Sequence, residues 1–224
     1  MLDREAQAEI LKRVVEAAAR YGLVVAPVGS VFFLFQGKSS LSTKDVDVVV
    51  HLDDGNIAPL EVLMKVGNDL GDARPSDDRA SVMVAMEAPR GSAKIDLLRG
   101  KEGAKKGFLP RGLLRLAGIN GRREGNILWY PIEFVILLKA DAAIDRQHRA
   151  ESGGRNVEEN RQRAEVFRQD VFSQVQAALA ATGLRDDYLV EGLLCLKKIR
   201  RIEVASLLEA ASGGRLSLRA RMGR

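Results

Sequence analysis

Hydrophobic positions along the chain change their period several times, and each change marks an element. From Leu2 to Tyr21, Ile10, Leu11, Val14, Val15 and Ala18 recur at helical spacing, and Gly22 stands where a helix would end. Leu23 to Val28 is a β-branched run stopped by Gly29-Ser30, and VFFLFQGK behind it reads as a short buried helix ending at Gly37. DVDVVVHL has the consecutive valines of a buried strand, and NIAPLEVLMKVGNDLG follows as a helix with Asn56 as its expected N-cap. ASVMVAMEA and AKIDLLRG predict an antiparallel hairpin around a four-residue loop, Pro89 to Ser92. NILWYP supplies one more short strand, and IEFVILLKADAAIDRQ returns to helical period.

Beyond Glu158 the pattern is helical throughout. EENRQRAEVFRQDVFSQVQAALAATG turns Val166, Phe167, Phe172, Val175 and Leu179 inward, and YLVEGLLCLKKIRRIEVASLLEAA forms a second helical stretch with a break near Arg200. The expected architecture is α/β: an N-terminal half with three to five strands in a mixed sheet flanked by helices, followed by a helical C-terminal domain. ESGGRN reads as the linker, placing the domains at 1–150 and 151–224.

Composition narrows the chemistry. A chain of 224 residues with 46% hydrophobic content can bury its own core, and no run of eighteen apolar residues suggests a membrane span. The charged, periodic N-terminus is unlike a signal peptide, so a soluble cytoplasmic protein without membrane contact is expected. One cysteine, Cys195, excludes an internal disulfide and a cysteine metal cluster, and its apolar surroundings predict a small buried hydrophobe. His51 and His148 are too few and too distant in sequence for a zinc site or a Ser-His-Asp arrangement, which leaves oxygen ligands for any metal.

The net charge of +5 gathers in two places: loop 101–123, with Lys101, Lys105, Lys106, Arg111, Arg115, Arg122 and Arg123, and the tail SGGRLSLRARMGR, with four arginines and no acid. Two readings stand for both segments: a solvated loop with a frayed tail, or a contact surface for a nucleic acid such as an RNA acceptor.

Candidate chemistry lies in the strands. Alternation sends Asp45 and Asp47 to one face and Val46 and Val48 to the other. Adjacent unpaired carboxylates repel, so a cation or a raised pKa is expected beside them. A lone Asp-x-Asp is weak, its ordinary alternative being a solvated edge strand, but AKIDLLRG places Asp96 with Lys94 on one side of a further apolar run. If the two strands are neighbours, three aspartates form an oxygen-lined site suited to Mg²⁺ and to phosphoryl or nucleotidyl transfer. Gly29-Ser30 is a small-residue turn able to approach phosphates, or simply a tight turn.

The order of VGS, KDVDVV and KIDLL, over Val28 to Leu98, resembles the DNA polymerase β-like nucleotidyltransferase superfamily. The resemblance implies transfer of a nucleoside monophosphate from an NTP to a hydroxyl acceptor: an RNA end, a protein or a small molecule. It implies two Mg²⁺ ions, with Mn²⁺ as a substitute, held by Asp45, Asp47 and Asp96 as the catalytic set, and a nucleotide contacted by Gly29 and Ser30. Lys94-x-Asp96 and Lys139 in ILLKADAA are similar to the AbiE-type abortive-infection toxins, in which lysines so placed lie near the nucleotide phosphates. The interval from Ser30 to Asp45 is longer than the family pattern, and no downstream Lys-Asp pair stands out, with Asp141 and Asp170 as the candidates. The alternative to an enzyme is an inactive relative that binds a nucleic acid or a protein.

Overall fold

The computed structural model describes residues 4–35, 45–77, 79–88, 91–100, 110–153 and 156–223. The chain divides into two compact units, Met1–Lys101 with Leu114–Pro131, and Glu102–Leu113 with Ile132–Arg224.

The first unit contains helix α1 (Arg4–Ala19), strand β1 (Val24–Pro27), helix α2 (Gly29–Phe35), strand β2 (Asp45–His51), helix α3 (Leu60–Leu70), and strands β3 (Asp72–Pro75), β4 (Ser81–Ala88) and β5 (Gly91–Leu98). Most of helix α4 (Arg111–Ile119) and strands β6 (Arg122–Glu124) and β7 (Ile127–Trp129) complete it. The seven strands form one mixed sheet in the order β3-β4-β5-β2-β1-β7-β6. β2 runs antiparallel to β1 and parallel to β5, and β4 and β5 form the expected antiparallel hairpin.

Period 2 in the strands and period 3.6 in the helices give this unit its core. Val46, Val48 and Val50 of β2, Val82 and Val84 of β4, and Ile95 and Leu97 of β5 are buried against Ile10, Val14 and Ala18 of α1 and Leu63 and Val66 of α3. Removing these branched side chains from water is the main favourable contribution, about 1.5 to 3 kcal/mol for each fully buried one. Because partners in register share a face, burying these residues commits the alternate positions of β2 and β5 to the opposite face of the sheet.

The second unit is helical: α5 (Ile132–Glu151), α6 (Val157–Ala181), α7 (Asp186–Leu194), α8 (Lys198–Ala211) and α9 (Leu218–Met222). Phe134, Ile136 and Leu137 of α5, Val171 and Val175 of α6, Leu189 and Leu193 of α7, and Val204 and Leu208 of α8 are buried in it. The mixed sheet with its helices, followed by a helical C-terminal region, is the architecture expected from the sequence. ESGGRN joins α5 to α6, two helices of the same unit.

Several details differ from expectation. The sheet has seven strands rather than three to five because β3, reading DARP, and β6, reading RRE, lie at its edges. Edge strands need no apolar alternation, and charge or proline there discourages further pairing. Asn56 caps no helix: its backbone N–H and side-chain amide donate to Asp54 at 2.9 and 2.6 Å, and Ala58 N–H still donates to Val50 O at 2.9 Å. That extension of the sheet delays α3 until Pro59.

In the β4–β5 hairpin, Ala88 pairs with Gly91 and Glu87 with Ser92, so the connection is two residues, 89–90, which lie outside the described ones. The expected helix stop at Gly37 also lies outside them. Of the expected inward residues of α6, Val175 is buried but Val166 and Phe172 are exposed, and Ala164, Val171 and Ala178 join Val175 in the inner stripe. Cys195 is exposed rather than buried, because α7 ends at Leu194 and the chain turns there. The Arg201 guanidinium donates to Leu193 O, Leu194 O and Leu196 O at 3.0 Å each, which satisfies the carbonyls freed by the break.

Candidate functional site

The sheet brings together two segments more than forty positions apart. β2 and β5 pair in parallel with Asp45 opposite Lys94, Val46 opposite Ile95, and Asp47 opposite Asp96. Neighbouring strands are about 4.8 Å apart and partners in register project the same way. Val46 and Ile95 therefore enter the core while Asp45, Asp47, Asp96 and Lys94 share the other face. On the far side of β5, Met83 of β4 stands opposite Asp96 and extends that face with an apolar neighbour.

The Gly29 turn lies directly against this group. Val28 N–H donates to Asp47 O at 3.0 Å, and Gly29 has φ +61°, a left-handed conformation that favours glycine. A Cβ at Gly29 would come 3.0 Å from Asp47 Oδ2, so only a hydrogen leaves the space beside that carboxylate open. The turn is fixed from behind by α2, whose Val31, Phe32 and Phe33 are buried, and whose Phe32 ring meets Trp129 edge-on at 6.2 Å. Ser30 occupies the first turn of α2.

Electrostatics link the four charged residues. Lys94 Nζ donates to Asp96 Oδ2 at 2.7 Å. Burial opposes the charge on Lys94, but the hydrogen bond and charge of Asp96, with the charges of Asp45 and Asp47, outweigh it and hold the ammonium above its ordinary pKa. The other oxygen of Asp96, Oδ1, is buried without a hydrogen-bond partner among the described residues. A buried acceptor of that kind is costly unless something else satisfies it.

These features allow the implied divalent ion to be tested against the residues present. The donors are hard carboxylate oxygens and one of them, Asp96 Oδ1, is orphaned among the described residues, so the residues fit the ion in kind. Among the described residues, however, no group of three or more His, Cys, Asp or Glu side chains is arranged around a metal position. As placed, Asp96 Oδ2 belongs to Lys94.

Sequence reasoning passed over His51 as an isolated histidine. It is fully buried on the same face of β2 as the aspartates, with Nδ1 donating to Gly55 O at 2.9 Å and Nε2 accepting from the Tyr130 hydroxyl. Burial lowers its pKa, which keeps the ring neutral and consistent with that tautomer. It anchors the end of the strand that carries Asp45 and Asp47. The alternation 45, 47, 49, 51 is the sequence signal that reaches it.

Lys139 lies in the second unit, where it pairs with Asp170 at 2.6 Å and stands 4.7 Å from the centre of the Phe167 ring. Asp141, in the same helix, pairs with Arg200 at 2.9 Å. Of the basic loop, residues 101–109 lie outside the described ones; Arg122 pairs with Glu124 at 2.6 Å and Arg123 with Asp53 at 2.8 Å. In the basic tail Arg219 pairs with Glu209 at 2.6 Å and Arg221 with Asp186 at 2.9 Å. Among the described residues no helix is long and apolar enough to cross a membrane.

The sequence matches no family model and no curated protein. Among solved structures, the chain is similar to an antigenic nucleotidyltransferase-like protein from Paracoccidioides brasiliensis, with 16% identity over 93% of this chain and 94% of that one at a TM-score of 0.49. It is also similar to JHP933 from Helicobacter pylori, with 15% identity over 100% of this chain and 97% of that one at a TM-score of 0.40. Neither likeness carries the chemistry of the site, which rests on the residues of this chain.

Proposed function

We propose that this chain is a nucleotidyltransferase that moves a nucleoside monophosphate from an NTP to a hydroxyl acceptor. The observation that supports this reading most is the pairing of Asp47 with Asp96 in neighbouring parallel strands, with Gly29 set against the Asp47 carboxylate. Three carboxylates on one face are a poor surface for an anionic nucleotide or nucleic acid unless cations intervene. Their presence beside a glycine turn favours transfer chemistry over plain binding.

Asp45, Asp47 and Asp96 would hold two Mg²⁺ ions, with Mn²⁺ as a substitute; bound there, the ions would neutralise the triphosphate and acidify the acceptor hydroxyl. The Gly29-Ser30 backbone, free of a Cβ at its first residue, would let the triphosphate approach the strands closely. In the reaction the acceptor oxygen bonds to the α-phosphorus and the bond from that phosphorus to its bridging oxygen breaks. Pyrophosphate departs with the electron pair, and the acceptor proton passes to the Asp96 carboxylate, whose Oδ1 has no other partner among the described residues. The chain therefore contributes chiefly position and charge, and none of its side chains is covalently changed.

Loop 101–123 and the C-terminal tail would guide an RNA acceptor; a protein or a small hydroxylated molecule is the competing acceptor class. The test is transfer of label from each α-labelled NTP, with Mg²⁺, to total RNA, protein or small-molecule pools. Asp47→Asn and Asp45→Asn should each lower transfer at least about a hundredfold while leaving the circular dichroism unchanged. Absence of transfer from all four nucleotides into all three pools would leave the chain a binding module.

A further inference from the structure

We propose that Lys94 is a built-in counter-ion that holds Asp96 when no divalent ion is bound and must leave it when one binds. The inference rests on the reading of Asp47 and Asp96 as metal ligands and adds a role for a residue of this chain that competes with the ion. Lys94 stands opposite Asp45 in the β2–β5 register and two positions before Asp96, so its ammonium emerges on the face that carries all three carboxylates. It makes a direct ion pair with Asp96 Oδ2 at 2.7 Å.

The two partners are unequal in freedom. The Lys94 side chain is 46% exposed and its ammonium sits on a flexible four-carbon stem, whereas Asp96 is only 17% exposed and is held in the strand. One can swing away while the other stays. Asp96 Oδ1, buried and without a partner among the described residues, marks the direction in which this carboxylate is unsatisfied even with Lys94 in place. A monovalent ammonium thus answers part of the acidic demand.

Two consequences separate this from a structural salt bridge. A structural pair, once broken, would loosen the strand and weaken ion binding. A competing counter-ion, once removed, frees the carboxylate and removes a positive charge, so ion binding becomes tighter. The substitution Lys94→Met keeps the stem and deletes the charge; Lys94→Arg keeps the charge.

Titration of the metal-free protein with Mn²⁺, followed by electron paramagnetic resonance or calorimetry, reads the effect without reference to turnover. Lys94→Met should bind Mn²⁺ about fivefold more tightly than the wild type, or more, and Lys94→Arg should remain within about twofold of it. In the same samples, Mg²⁺ should raise the melting temperature of Lys94→Met by more than it raises that of the wild type. Equal or weaker Mn²⁺ binding by a folded Lys94→Met would overturn the counter-ion role while leaving the transferase reading intact. If wild type, Lys94→Met and Asp47→Asn all fail to bind Mn²⁺, the ligand assignment itself falls and the counter-ion role with it.

Discussion

At the scale of single residues, Gly29 and Gly125 form a natural pair for measuring how much the candidate site depends on its turn. Their φ values are +61° and +60°, so alanine at either position meets nearly the same backbone strain, about 1 kcal/mol. Their surroundings differ: a Cβ at Gly125 meets nothing within 4 Å, whereas one at Gly29 meets Asp47 Oδ2 at 3.0 Å. Gly125→Ala should therefore cost about 1 kcal/mol in urea unfolding, and Gly29→Ala about 2 kcal/mol or more because the carboxylate must shift as well. Only Gly29→Ala should also weaken Mn²⁺ binding. Equal unfolding costs and unchanged ion affinity would show that the turn and the carboxylate are independent.

Elements differ in how legible they are from sequence, and α6 shows why. The expected inward set favoured its large apolar residues, Val166 and Phe172 among them, yet both are exposed. The buried stripe is Asn160, Ala164, Val171, Gln174, Val175 and Ala178, in which small and polar residues supply four of the six. Asn160 is accommodated because its Oδ1 accepts from Arg146 at 2.9 Å. Residue size misled the phase, since helix packing against a close neighbour selects for fit as much as for hydrophobicity. Val171→Ala should thus destabilise by about 1 to 3 kcal/mol and Phe172→Ser by less than about 0.5 kcal/mol, read by chemical denaturation. The reverse ranking would restore the inward face expected from sequence. The strands of the site were easier. Asp45, Asp47, Lys94 and Asp96 follow from strict alternation within two apolar runs, a signal local to each strand. What no local pattern contains is the register that sets Asp47 beside Asp96, the approach of Gly29 to Asp47, or the pairing of Lys139 with Asp170, each of which joins separate parts of the chain. The edge strands β3 and β6 were invisible for the opposite reason, having almost nothing to bury.

On the scale of the whole molecule, each unit carries a titratable group that burial pushes toward its neutral form, the pKa rising for the acid and falling for the histidine. In the second unit Asp141 is pushed up to about 6, first by burial, with Asp145 adding to the rise and Arg200 and His148 opposing it. Its ordinary value is 3.8, so between those values the folded unit binds more protons than the unfolded chain. This contribution to stability is complete below the ordinary value and is lost as pH rises through about 6. In the first unit His51 is lowered from 6.5 by burial, so below that value the unfolded chain binds more protons and stability falls with falling pH. Acidification from about pH 7 to about pH 5 should then strengthen the second unit by about 1 kcal/mol through Asp141 and weaken the first through His51. Hydrogen exchange resolved by segment can follow both at once, with slow amides of α5 and α8 reporting one unit and those of β2 and β5 the other. Asp141→Asn should remove the acid-side gain in the helical unit alone, and His51→Gln the acid-side loss in the sheet alone. If both substitutions leave the two pH profiles unchanged, other groups control them. If acid weakens α5 and α8 in the wild type but not in Asp141→Asn, the Arg200 pair outweighs burial and Asp141 is held down rather than up.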